Sequence, residues 1–123
     1  MVIDDSAIER FLAETLIRNS RFAQKVISFN AAADALALLA SQANTPTTLP
    51  DVIFVDIYMP LMNGFQFLDE YLQLPEAVHQ HCKVVMISST RSQEDFSEMK
   101  KYPVIRCFLT KPLSEAALTG LVF

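Results

Sequence analysis

Two uninterrupted apolar runs, Val52-Ile53-Phe54-Val55 and Val84-Val85-Met86-Ile87, constrain this chain more than any other feature. A strand with one face in water alternates apolar and polar residues. These runs do not alternate, so both of their faces must be covered, as in a parallel sheet with helices on each side. Three further runs complete the set: Met1-Val2-Ile3, Lys25-Val26-Ile27-Ser28-Phe29, and Val104 to Leu109. The last carries Arg106 and alternates more, as an edge strand does.

Helical patterns separate the runs. Ser6-Ala7-Ile8-Glu9 has the form of a capping box, with Ser6 as N-cap and Glu9 three residues on. Ile8, Phe11, Leu12, Thr15 and Leu16 follow at helical spacing and are expected to form the buried face. A second helix is predicted from Asn30 to Gln42. A third, from Phe65 to Leu72, is expected to bury Phe65, Leu68 and Leu72. A fourth starts at Ser92 and offers Phe96 and Met99. The fifth has Ser114 as N-cap, with Leu113 and Leu118 spaced as a hydrophobic staple. The segments Ser41 to Asp51 and Pro75 to Lys83 read as surface loops. Strands alternating with helices predict an α/β fold with right-handed crossovers.

The 123 residues fit one domain, 1–123, and 51% of them are apolar, enough for a core. The net charge of −4 argues against a nucleic-acid surface. No apolar run approaches the ~20 residues of a membrane span, and no signal peptide is visible. Two cysteines, Cys82 and Cys107, suit a reduced, cytoplasmic protein. Apolar sequence begins at Met1 and runs to Leu121-Val122-Phe123 with no polar tail, so either end could be a cloning boundary. The tract His79-Gln80-His81-Cys82 has the residue types of a zinc site, but zinc needs four suitably placed ligands and no second cluster accompanies it. A solvated loop is the expected reading.

The chemistry gathers at strand ends. Asp4 and Asp5 close the first run, and Asp56 closes the third. Open α/β sheets bind ligands beyond the carboxyl ends of their strands, where strand order reverses. If the first and third strands are neighbours, three carboxylates converge, and a hard divalent cation would cancel their repulsion. Equally, Asp4 and Asp5 could simply cap the first helix. Ser88 after the fourth run adds a hydroxyl, and Lys111 after the fifth adds a cation. A carboxylate nucleophile, a metal site, a hydroxyl and an ammonium together form a kit for phosphoryl transfer.

These pieces carry a family resemblance. Ile3-Asp4-Asp5, Asp56-Ile57-Tyr58-Met59-Pro60-Leu61-Met62-Asn63-Gly64, Met86-Ile87-Ser88-Ser89 and Phe108-Leu109-Thr110-Lys111-Pro112 resemble the response-regulator receiver domains of two-component signalling, over nearly the whole chain. The resemblance implies a flavodoxin-like sheet of order 2-1-3-4-5 and Asp56 as phosphoacceptor. It implies Mg²⁺, replaceable by Mn²⁺, held by Asp5 directly, by Asp4 through water, by Asp56 and by the Tyr58 main-chain carbonyl. Ser88 falls where the family contacts the phosphoryl group, Lys111 on its characteristic lysine, and the Lys111–Pro112 bond is expected to be cis. Phe108, in place of the common Tyr, takes the position of an aromatic switch; plain core packing is the alternative. The implied partners are a sensor histidine kinase or histidine phosphotransfer protein and an unnamed output partner, signalled to through a surface of fourth helix, fifth strand and fifth helix; a phosphorylation-dependent homodimer is a further implied partner state. Neither nucleic acid nor membrane is expected as a partner. The only catalysis expected is of the chain's own phosphorylation and dephosphorylation. A receiver that has lost phosphorylation usually lacks one of the acids or the lysine, and all are present here. An aspartyl phosphatase needs a second acid two residues after its nucleophile, and Tyr58 stands there.

Overall fold

The apolar runs become a five-stranded parallel sheet in a computed structural model that describes residues 1–121; Val122 and Phe123, part of the apolar end noted above, lie outside the described residues. The strands are β1 (Val2–Ile3), β2 (Ser28–Phe29), β3 (Val52–Asp56), β4 (Lys83–Ser88) and β5 (Ile105–Thr110). Their order is β2-β1-β3-β4-β5, the flavodoxin-like order. β1 therefore lies beside β3, with Val2 paired to Phe54 and Ile3 to Val55. The expected edge position of β5 is observed. The second run is shorter than Lys25 to Phe29 as strand, because β1 offers only two residues for pairing; Ile27 still accepts a hydrogen bond from the Val2 amide at 2.8 Å.

Each unbroken apolar run feeds two cores. Ile53, Val55, Val84 and Met86 pack on one face with α2 (Ala32–Ser41) and α3 (Gly64–Tyr71). Phe54, Val85 and Ile87 pack on the other with α1 (Ala7–Asn19) and α6 (Glu115–Thr119). Neighbouring side chains on a strand point to opposite faces, so only a run apolar throughout can serve both. The remaining elements are a 3-10 turn at Pro46–Thr48 within the Thr/Pro-rich segment, α4 (Glu76–His81) and α5 (Gln93–Met99).

Three expectations fail here. The stripe Ile8, Phe11 and Leu12 of α1 is not buried; these side chains are 74%, 65% and 55% exposed, and Ala13 and Ile17 face the sheet instead. In α3, Leu72 lies just past the helix and is exposed, while Phe67 and Tyr71 are fully buried. The segment Pro75 to Lys83 is not a solvated loop. It contains α4, whose Val78 is buried and whose His79 ring packs on Tyr71, with Nε2 2.7 Å from the Tyr71 carbonyl oxygen. Only Ala77 and Val78 are apolar in that helix, too few to show a period.

The turn from β3 into α3 depends on Gly64. Its amide donates to the Ile57 carbonyl at 2.8 Å. A Cβ there would lie 2.7 Å from the Asp56 carbonyl oxygen and 2.9 Å from the Ile57 Cα. Both obstacles are backbone, which a rotamer change cannot relieve. Gly64→Ala is therefore expected to lower stability by about 1–3 kcal/mol, read as a lower urea midpoint with an unchanged slope. An unaffected midpoint would show that the turn can move aside.

Candidate functional site

All the residues singled out at strand ends lie at one edge of the sheet. Asp4 follows β1, Asp56 ends β3, Ser88 ends β4 and Lys111 follows β5. Carboxylate oxygens of Asp4, Asp5 and Asp56 come within 4.8 Å of one another. Asp4 and Asp56 are buried, at 1% and 5% exposure, whereas Asp5 is exposed. That separation suits oxygens arranged around one hard cation. Among the described residues it is the one such grouping of Asp, Glu, His and Cys side chains, and the His79–Cys82 tract does not form another.

Asp4 has both oxygens engaged. Oδ1 accepts from the Ser6 amide at 3.0 Å, and Oδ2 accepts from Lys111 Nζ at 2.6 Å. Lys111 also lies 3.1 Å from Asp56 Oδ2 and donates to Glu9 Oε2. Burial alone would lower the Lys111 ammonium, but its bonds to Asp4 and Glu9 and the charges of Asp56 and Asp4 outweigh it and hold the group well above its ordinary value. Asp56 is shifted the other way for a carboxylate. Burial raises it, and the charge and hydrogen bond of Lys111 only partly offset that rise.

The other residues take distinct places. Ser88 is fully buried; its hydroxyl accepts from the Thr90 amide at 3.1 Å, and its carbonyl accepts from the Lys111 amide at 2.9 Å. The Tyr58 amide donates to Asp56 Oδ1 at 3.3 Å, and its hydroxyl donates to Asp95 in the first turn of α5 at 2.5 Å. Phe108 is half-buried, edge-on to Phe96 at 5.3 Å and under the Arg91 guanidinium at 5.9 Å. The Lys111–Pro112 bond is cis, as the resemblance implied. Cys82 and Cys107 are free thiols.

A model of the response regulator receiver domain matches residues 1–123. The chain belongs to this family. Over 124 residues the receiver is 34% identical to protein PilG of Pseudomonas aeruginosa, covering 99% of this chain and 82% of that protein. It superposes on the response regulator receiver protein of Dyadobacter fermentans with a TM-score of 0.81 at 38% identity, covering 92% of this chain and 85% of that one. A two component response regulator from Cytophaga hutchinsonii gives a TM-score of 0.86 at 26% identity, over 96% of this chain and 88% of that one. No helix among the receiver's described residues is long and apolar enough to cross a membrane.

Sequence reasoning missed Glu9, Arg10 and Asp95 in this receiver. Glu9 was expected to fold back on the Ser6 amide and complete a capping box. Only half the box forms: Ser6 Oγ accepts from the Glu9 amide at 3.3 Å, but Asp4 has already taken the Ser6 amide. Arg10 donates to the Asp4 carbonyl at 2.8 Å. The available signal was Asp4 itself, two residues before Ser6, where an Asx turn competes for the same donor.

The raised Asp56 fixes the sign of one pH effect. An acid whose folded value lies above its unfolded value binds its proton more tightly when folded. Its charged form thus costs stability at neutral pH, and the cost fades as pH falls through the raised value. Asp56→Asn is expected to stabilise the metal-free protein at neutral pH. The difference from wild type should shrink toward the ordinary carboxylate value. Urea unfolding with chelator across that range is the measurement, and a destabilised variant at neutral pH would contradict the sign.

Proposed function

We propose that residues 1–123 act as one phosphoacceptor switch in a two-component phosphorelay, with Asp56 as acceptor. The observation that carries this reading is the buried Asp56 carboxylate, held 3.1 Å from Lys111 Nζ at the edge where Asp4 and Asp5 converge. An Asp56 oxygen attacks the phosphorus of a phosphohistidine on a sensor histidine kinase or a histidine phosphotransfer protein. The P–N bond breaks and the imidazole leaves with its electron pair. Lys111 then binds a phosphoryl oxygen, and the Ser88 hydroxyl turns from its own loop to bind another.

Asp5, Asp56 and the Tyr58 main-chain carbonyl would hold Mg²⁺ (or Mn²⁺), with Asp4 acting through water because both of its oxygens are already taken. The cation, when bound, neutralises charge on the transferring phosphoryl group. Movement of Ser88 pulls on the segment Ser89–Ser92, which Arg91 ties to β5 through Thr110 Oγ1 at 2.9 Å. Phe108, packed against Arg91 and Phe96, is the switch residue on that route, and the α5–β5–α6 surface changes shape for an output partner or for a phosphorylation-dependent homodimer. Catalysis is confined to the chain's own phosphorylation and dephosphorylation, and the setting is cytoplasmic. Neither nucleic acid nor membrane is a partner in this reading.

Acetyl phosphate with Mg²⁺ is expected to add one phosphoryl group to the wild type by intact mass, and none to Asp56→Asn. Equal labelling of the variant would move the acceptor elsewhere. Asp5→Asn is expected to weaken Mg²⁺ binding on the order of tenfold or more in calorimetric titration. Unchanged affinity would reduce Asp5 to a helix cap.

A further inference from the structure

Lys111 is shared among more carboxylates than the proposed acceptor chemistry uses. Its Nζ contacts Asp4 at 2.6 Å, Asp56 at 3.1 Å, and also Glu9 in the first turn of α1. Glu9 and Lys111 line a cleft of about 220 Å³ between the first turns of α1 and the segment Lys111–Leu113. Nothing in the helix requires this contact. The helix-capping partner for a residue at the Glu9 position is the Ser6 amide, which Asp4 occupies, so the Glu9 side chain is released toward Lys111. The helix is turned to suit: Glu9, Ala13 and Ile17 fall on one line at i, i+4 and i+8, with Ala13 and Ile17 buried on the sheet and the apolar stripe left outside. The Asp56 contact is the longest of the ammonium's three.

We propose that Glu9 is a positioning residue that draws Lys111 away from Asp56 and so restrains phosphorylation until the incoming phosphoryl group displaces it. This deepens the phosphoacceptor reading and rests on it. Before reaction, Asp4, Glu9 and Asp56 share one ammonium. A phosphoryl group on Asp56 brings a further anionic demand on the same Nζ, and Glu9, 42% exposed, is the ligand that can return to water at least cost. Glu9 also places a negative charge beside the path of an anionic donor.

The test compares wild type, Glu9→Gln and Glu14→Gln, each with acetyl phosphate at saturating Mg²⁺ and at two ionic strengths. Glu14 lies on the same helix and carries the same charge outside the Lys111 contacts, so it controls for net charge. Glu9→Gln is expected to raise the second-order rate of adduct formation about threefold, the scale of a half-exposed ion pair. It should also shift the ammonium signal of Lys111 in nitrogen-edited NMR of the unphosphorylated protein, which altered helix packing alone would not do. Glu14→Gln should match the wild type in both. A Glu9→Gln rate equal to or below wild type would overturn the proposal, as would an equal acceleration in Glu14→Gln. A wild type that takes no adduct at all would instead remove the phosphoacceptor reading, while the NMR shift still reports on the Glu9–Lys111 pair.

Discussion

The Lys111 ammonium stands among three carboxylates from two separate stretches of chain, and the carboxyl edge of the sheet depends on it. Strand order brings Asp4 and Asp56 together whether or not their charges agree, because β1 and β3 pair through apolar residues indifferent to charge. Two buried carboxylates with no counterion would be severely penalised, so loss of the one ammonium they share would leave buried charge uncompensated. Lys111 is 10% exposed at its side chain, so its attraction to both acids is little screened by water. The pairing of β5 with β4 delivers Lys111 to this place. Its register on β4 carries Thr110 beside Ser88, and the Lys111 amide then bonds the Ser88 carbonyl.

The sheet was legible because its signal is redundant. Unbroken runs such as Val84 to Ile87 can only be explained by two covered faces, and the two cores use them residue by residue. The acids and the lysine were legible because they stand where strands end, a place that pattern alone identifies. What pattern could not give was the phase of a helix whose rotation is set by polar contacts. Ile8, Phe11 and Leu12 form a better amphipathic stripe than Ala13 and Ile17, yet they face outward, since Glu9 and Arg10 anchor the first turn to Lys111 and to the Asp4 carbonyl. Two polar contacts at one end overruled the period. The short helix α4 escaped for the opposite reason, having too few apolar residues to show any period.

The same contest between local and distant partners runs through the site. Ser6 and Glu9 are a capping box by sequence, but only the Ser6 Oγ half forms; in the other half Asp4 takes the Ser6 amide and Lys111 takes the Glu9 carboxylate. Asn63 and Gln66, at the start of α3, have no such competitor and complete theirs, with Gln66 Oε1 2.9 Å from the Asn63 amide and Asn63 Oδ1 2.9 Å from the Gln66 amide. A local motif is thus a statement about available donors, and its failure at Glu9 marks the place where the fold needed the side chain for something else.

Lys111 and Asp4 are 107 residues apart in the chain. During synthesis the two acids at the ends of β1 and β3 leave the ribosome long before their counterion does. Until the last strand is complete, the growing polypeptide holds either an unpaired strand edge or a pair of uncompensated anions. A nascent chain therefore cannot mature this edge piecemeal. Its electrostatic closure by Lys111 waits for the segment after β5, so a site complete with its lysine exists only in molecules whose five strands have all been made.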